Sequence, residues 1–536
     1  MKKVRNTALA LLLVSSHLLF SQSIYQALEV GNVNTRVYAD GKLFNDFFNS
    51  RAQFVIPKNS ETSAIYMAGF WVGGKIDLNI PAQPDLLRLS KIFYINSDFT
   101  QGPIRLNNRT GADPSYWNKT WKVTKTTINT HIANYNNDNY STPRELLEWP
   151  AHGKDGAADI LAPFIDLNGN SIYEPEKGDY PNIKGDEAMY FICNDARRGN
   201  HPDAMDIEVH GMVYGFNSPD EQLQNTIFIN LKFINRSLFN YRDVYFGMYN
   251  DFDLGDPFDD FVGTDTSLNM VFGYNGDPVD GPRQGIPSYG ASPPAIGMIL
   301  LNKKLTNSMY YELNGSGNGE PENTADFYDC MKSKFKDGSH LKYGGNGYFR
   351  SNGATQHDAN FLFPGDPTYY EANAWTETNT FSLPNSPGDR RIVASSKIDE
   401  LPLNSSFEID LAYVFAENSL KNETNTQSVI ELKNLSKKIQ LLYDSGQINQ
   451  TIKPSLPVIN AQRPIYPNPI SEGQSIIIDY DDITSVEVYS ILGKLITRKE
   501  KNGSSIKIER TELSTGVYII RLLGSQEFNS EKLVVK

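Results

Sequence analysis

Asp166, Asn168 and Asn170 place oxygen-bearing side chains at alternate positions of the run Asp166-Leu167-Asn168-Gly169-Asn170-Ser171-Ile172-Tyr173-Glu174. The Ile172 carbonyl falls at the seventh position and Glu174 at the ninth. That spacing winds a loop around a hard cation such as Ca2+, which takes about six to eight oxygen ligands. Two positions depart from an EF-hand loop. Ser171 stands where the turn glycine belongs, and Lys177 where a bidentate acid closes the site, so Glu176 or Asp179 must supply the last carboxylate. An ion-free Asx-turn loop uses the same residue types. The second cluster runs from Asp251 to Asp265, with six aspartates in fifteen residues and no Lys or Arg from 251 to 282. Crowded carboxylates repel one another unless a cation or a proton intervenes. Asp251 and Asp253 share a side if the preceding strand continues, and Asp259 and Asp260 are further ligand candidates for Ca2+. The competing readings are a solvated acidic rim and an Asp251–Asp259 acid/base pair for sugar hydrolysis.

Other chemistry is sparse. The chain has no His-Glu-x-x-His helix, no Gly-x-Ser-x-Gly elbow and no phosphate-binding glycine loop, which favours a non-catalytic body. His152, His201 and His210 lack ligand spacing, although Asp206 and His210 could still meet a serine in space. Trp117 and Trp121 suit either a sugar-stacking groove or a sandwich core. Cys193 and Cys330 are the only cysteines, and their separation leaves pairing open.

The elements that must position these residues are mostly strands. Thr226 to Ile234 puts Ile227, Ile229, Leu231 and Phe233 on one face at period two. Val244 to Tyr249 follows after a short connection, which predicts an antiparallel pair. Gln53 to Pro57, Ala64 to Gly74 and Phe407 to Phe415 read the same way. A short helix is expected over 142–148. A longer one has the apolar stripe Val429, Leu432, Leu435, Ile439 and Leu442, with Ser428 and Glu431 as a capping box and Gly446 as the stop. Residues 447–462, with Pro454 and Pro457, read as a linker. From 463 onward, short strands separated by turns predict a small β-sandwich.

Composition agrees with an exported, turn-rich β protein. Of 536 residues, 29 are Tyr and 28 Phe, and the net charge is −13. Residues 463–536 hold ten Lys/Arg and ten Asp/Glu, so the acidic excess lies upstream. This argues against nucleic acid or anionic lipid as a partner and suits bound cations. Lys2, Lys3 and Arg5, the apolar run Ala8 to Phe20 and the small residues Ser21 and Ser23 form a secretory leader. The apolar run is too short to span a bilayer, and no other stretch could, so the mature chain is expected to lack a transmembrane segment.

Tyr466-Pro467-Asn468-Pro469, Val486-Glu487-Val488-Tyr489-Ser490-Ile491-Leu492-Gly493-Lys494, Leu513-Ser514-Thr515-Gly516-Val517-Tyr518-Ile519-Ile520 and Lys532-Leu533-Val534-Val535-Lys536 occur in that order. This segment resembles the type A C-terminal sorting domain of the type IX secretion system of Bacteroidota. The resemblance implies handling by the outer-membrane translocon through 463–536, and release or anchoring outside the cell. The body resembles, over roughly 40–300, an uncharacterised group of large exported Bacteroidota proteins with that sorting domain. The matching segments include Gly69-Phe70-Trp71-Val72-Gly73-Gly74, Trp149-Pro150-Ala151-His152-Gly153 and Glu208-Val209-His210-Gly211-Met212.

The expected fold is mainly β. A leader at 1–23 precedes a large multi-sheet, sandwich-like body with few helices, divided into β-rich regions 24–220 and 221–446. The linker 447–462 leads to an immunoglobulin-like sandwich at 463–536. The expected role is a Ca2+-stabilised interaction or adhesion module with a glycan or surface protein as ligand. The alternatives are a secreted hydrolase using the Asp251–Asp265 carboxylates, and a structural part of the cell surface or motility apparatus.

Overall fold

The computed structural model describes residues 24–76, 85–94, 96–196, 202–283, 285–313, 315–418, 420, 424–449, 465, 467–478, 483–491, 494–503, 505–524 and 527–536. The expected leader at 1–23, most of the linker, His201 and the motif positions Tyr466, Leu492 and Gly493 lie outside them. The chain is mainly β and divides into two compact units, Met1–Pro454 and Ser455–Lys536.

In the body, β1 (Met67–Ile76), β2 (Leu86–Phe93), β3 (Glu187–Asn194), β4 (Ile207–Gly215), β5 (Thr226–Asn235), β6 (Tyr241–Phe252), β7 (Asp260–Asp265), β8 (Met270–Asn275), β9 (Ala295–Leu300), β10 (Asn307–Tyr310), β11 (Arg390–Leu401) and β12 (Ser406–Ala416) build two large antiparallel sheets. The nine-stranded sheet runs Trp121–Thr124, β3, β4, β5, β12, β9, β8, β7, with Thr100–Gln101 beside β3. The six-stranded sheet runs β10, β11, β6, β1, β2, Asn96–Ser97.

Alternation along the strands decides how the sheets meet. Ile227, Ile229, Leu231 and Phe233 of β5 are fully buried on one face. Phe233 meets Phe70 of β1 and Phe246 of β6, with ring centroids 5.5 and 5.7 Å apart. The two sheets therefore share one core, in which each such side chain stabilises the fold by about 1.5–3 kcal/mol. The opposite face of the nine-stranded sheet carries Phe228, Ala412 and Val414. It is covered by α1 (Gln427–Asp444), whose Val429, Leu432, Leu435 and Ile439 form the expected stripe.

Three expectations need correction. β5 and β6 do not pair. The corner at Asn235–Asn240, tied by Asn235 Oδ1 accepting from the Ser237 amide at 2.9 Å, carries the chain from one sheet to the other. Their apolar faces meet across the core instead of side by side. The division at 220/221 is no boundary, because β1 and β2 pair with β6 while β3 and β4 pair with β5. The capping box at Ser428 and Glu431 is not formed. The helix starts two residues earlier, with Thr426 at its N-cap, and Ser428 donates to the Asn425 carbonyl. Gly446 does stop the helix region, at φ +77°.

The second unit has its own core of Ile476, Ile478, Ile506 and Ile508 facing Val486, Val488, Ile520 and Leu522. Ser475–Ile478 pairs with Ile506–Glu509. Leu495–Glu500, Ile483–Ser490, Gly516–Gly524 and Glu527–Val535 form a four-stranded sheet in that order. Alternation of this kind, with Val517 and Ile519 outward, makes a two-sheet sandwich.

Candidate metal centre

β6 stays buried to its last residue and delivers Asp251 into the interior, 1% exposed. Its neighbour β11 pairs Asp251 with Arg391 in register, so Asp389 lies just ahead of that strand beside Asp251. Asp253 follows Asp251 by two residues as the chain leaves the sheet. Asp251, Asp253 and Asp389 each offer a carboxylate oxygen, all within 4.8 Å of one another. Oδ1 of each of the three is buried and has no hydrogen-bond partner.

The remaining oxygens are spoken for on one side. Asp251 Oδ2 accepts from Tyr249 Oη at 3.3 Å and lies 3.5 Å from Arg391 Nε. Arg391 Nη2 donates to Asp389 Oδ2 at 2.8 Å, and its Nε donates to the Tyr94 hydroxyl oxygen. One guanidinium thus faces three carboxyl groups. Burial raises the Asp251 carboxyl to about 7, with Asp389 adding to the rise and Arg391 opposing it. Asp253 is pushed well above the usual carboxyl range by burial and by Asp251 and Asp389. A proton or a hard cation is required to relieve this crowding.

Asp253 also lines a cleft of about 640 Å3, together with Arg51, Gln53, Glu61, Tyr66 and Gly255. Gly255 takes φ +75°, and a Cβ there would sit 2.1 Å from Asp280 Oδ2. Only glycine lets the acidic loop fold against Asp280.

Asp259 and Asp260 do not join the three-carboxylate group. Asp260 is fully buried, and its Oδ2 accepts from the Leu254 amide at 3.1 Å. Asp259 Oδ2 accepts from the Gly281 amide at 3.2 Å. Asp280 accepts from the Asp256 and Tyr289 amides. These aspartates hold the loop in shape through its backbone donors. Asp389, Arg391, Tyr94 and Tyr249 are the site residues missing from the sequence reading.

In the Asp166 loop, Ser171 adopts the left-handed φ of +63° at the glycine position. Asp166 accepts from the Gly169 and Ser171 amides at 2.7 and 2.6 Å. Asn168 and Asn170 accept from the Asn170 and Ile172 amides, and both side-chain amides donate to Glu174 Oε2. Asp179 is fully buried and clamps the loop by accepting from the Leu167 and Glu174 amides. Lys177 pairs with Glu174 at 2.6 Å. The amides of Ser171 and Gly169 hold the Asp166 carboxyl below the usual carboxylate range.

His152 bridges the Asp159 carbonyl and the Tyr173 amide. His210 is held between the Tyr190 hydroxyl at 2.8 Å and Glu208 Oε1 at 3.0 Å, so its acid is Glu208 rather than Asp206. Arg236 and the Ile104 amide complete the Glu208 shell at 2.7 Å each. Trp117 and Trp121 are core residues, and Cys193 and Cys330 are buried free thiols.

Residues 464–536 match the family described as a secretion system C-terminal sorting domain. The chain is thus a cargo of the type IX secretion machinery, exported to the cell surface or the extracellular space. Among the described residues, no helix is long and apolar enough to cross a membrane. No curated protein matches the chain. A solved polysaccharide lyase structure aligns with 95% of this chain at 8% identity and a TM-score of 0.22. The chain spans about half of that structure's length, 47%.

Proposed function

We propose that the body is a Ca2+-stabilised interaction module, delivered outside the cell by its C-terminal unit, and that Asp251, Asp253 and Asp389 hold the cation. The observation that supports this is the convergence of three carboxylates, each with an unpartnered Oδ1, within 4.8 Å. Aspartate oxygens select a hard cation, and seawater, tissue fluid and similar external media supply Ca2+ more reliably than the cytosol does. The ion would tie the end of β6 to the start of β11 and the acidic loop. The Asp166–Asp179 loop is a second candidate, where a cation would share oxygens already accepting backbone amides.

The test is a melting curve of the full chain in EDTA and across added Ca2+. At a concentration of about 100 Kd, binding to the folded state alone adds roughly 2.7 kcal/mol. Asp253→Asn should remove most of that response, whereas Asp166→Ala isolates any share from the second loop. A wild-type melting temperature indifferent to Ca2+ would overturn the proposal. One observation favours hydrolysis instead: Asp253, whose carboxyl is pushed well above the usual range by burial and by Asp251, lines the 640 Å3 cleft with Glu61. That reading requires Asp253→Asn to keep the Ca2+ response and lose turnover of a glycan. The Asp251–Asp259 pair gains no such support, since Asp251 is sealed from solvent.

A further inference from the structure

A second cleft lies away from the acidic centre, where the segment 364–379 meets β7 and α1. A hollow of about 360 Å3 is lined by Asp265, Tyr343, Asp366, Tyr369, Glu371 and Lys433, among others. A neighbouring one of about 200 Å3 shares Asp366, Tyr369, Glu371 and Ala374 with it and adds Tyr370. Tyr369 is thus among the four residues that line both neighbouring hollows.

Tyr369 and Tyr370 are 61% and 82% exposed. They are not on a loose loop. Asp366 Oδ1 accepts from the Thr368 amide and hydroxyl at 2.9 and 2.6 Å, an Asx turn that carries the next two residues outward. Asn379 Nδ2 donates to the carbonyls of Glu371 and Ala374 at 3.0 and 2.7 Å. Beneath them Trp375 is fully buried against Tyr343, with ring centroids 5.2 Å apart. The segment spends its internal hydrogen bonds and a buried tryptophan on holding two large aromatic side chains in water. Two adjacent exposed rings on a hydrogen-bonded segment offer a surface on which the flat apolar face of a ligand can stack.

The polar groups narrow the ligand. Lys433 of α1 lies 2.7 Å from Asp366 Oδ2 and 3.4 Å from Asp265 Oδ2. This ion pairing makes the trough a poor trap for a free cation, while carboxylate lone pairs remain to accept from hydroxyls. Three carboxylates against one lysine still repel uronate or sulfate polymers. Flat apolar CH faces and hydroxyl donors together describe a neutral sugar.

We propose that the trough at Asp366, Tyr369, Tyr370 and Glu371 binds a neutral glycan chain, with a sugar ring on either side of Tyr369. The inference rests on reading the body as an interaction module, and does not depend on the cation centre.

The experiment titrates the full chain by calorimetry with cellohexaose, laminarihexaose, mannohexaose and an oligogalacturonate of similar length, in Ca2+ and in EDTA. At least one neutral oligosaccharide should bind and the oligogalacturonate should not. Tyr369→Ala and Tyr370→Ala should each weaken binding about tenfold, and Glu371→Gln by less, with melting temperatures unchanged because all three residues are exposed. Failure of every neutral sugar to bind, tighter binding of the oligogalacturonate or of tetramethylammonium, or binding indifferent to both tyrosine changes would overturn it. A lost sugar response with the Ca2+-dependent melting shift intact sinks the trough alone. Retained sugar binding without that shift sinks the cation centre alone.

Discussion

Asp251 has one cation in reach and two acids beside it. Its carboxyl, raised to about 7, is protonated in the folded chain over a range where the unfolded chain has already released that proton. The folded state then binds more protons, so without a metal its stability falls as pH rises from about 4 through about 7. Asp253, pushed upward by burial and by Asp251 and Asp389, contributes in the same direction. Melting temperature in EDTA should therefore drop between about pH 4 and pH 7, and added Ca2+ should flatten the drop. Asp253→Asn should be more stable than wild type in EDTA at the upper end and less responsive to Ca2+. Arg391→Met leaves the three carboxyls without their guanidinium and should cost about 3–5 kcal/mol in EDTA, part of it recovered by Ca2+. Urea unfolding in both conditions reads the difference. Asp251 and Asp253 were legible because a run of acids without basic partners is visible in one dimension. Asp389 was not, since beside Arg390 and Arg391 it looks locally neutralised. Asp259 and Asp260 are indistinguishable from Asp253 in sequence. Only the fold shows that backbone amides use them.

Strand pairing explains the next scale. Phe191 of β3 lies directly opposite Gly211 of β4, and a Cβ at 211 would come within 2.0 Å of Phe191 Cζ. The ring fills the space that glycine leaves. Since Phe191 is itself fully buried, Gly211→Ala should destabilise the body by about 1–3 kcal/mol or more, measurable by denaturant unfolding. Nearby, Glu208 of β4 ties the Arg236 corner to the Ile104 amide and to His210. Burial alone would raise its carboxyl, but His210 and Arg236 win and hold it at about 2. Its contribution is complete above the ordinary Glu value and is lost as pH falls from about 4.5 toward about 2. Glu208→Gln should therefore flatten the acid limb of the stability profile. The apolar stripe of α1 and the alternation of β5 were readable, because periodicity is a local property. The pairing of β5 with β4 and β12 rather than β6 was not. A short connection fits a hairpin and a sheet-to-sheet corner equally well.

The whole molecule separates delivery from the body's chemistry. The C-terminal unit has a core of its own and a balanced charge, while the acidic centre and the glycan trough belong to the body. Scanning calorimetry of the full chain should show two transitions, of which Ca2+ raises only the body's. The sorting signal was the most legible part of the sequence, since its motifs lie within one short segment. The body's activity was the least legible, because its sites combine residues more than a hundred positions apart. That separation has a kinetic meaning. β1 gains its flanking partner β6 only after residue 252 exists, and Asp251 meets Asp389 only once most of the body has been made. A chain growing from its N-terminus cannot close the centre piecemeal. Contacts of such long range make folding slow, and a cation held by the three carboxylates would be taken up only after the chain through Asp389 has joined the earlier strands.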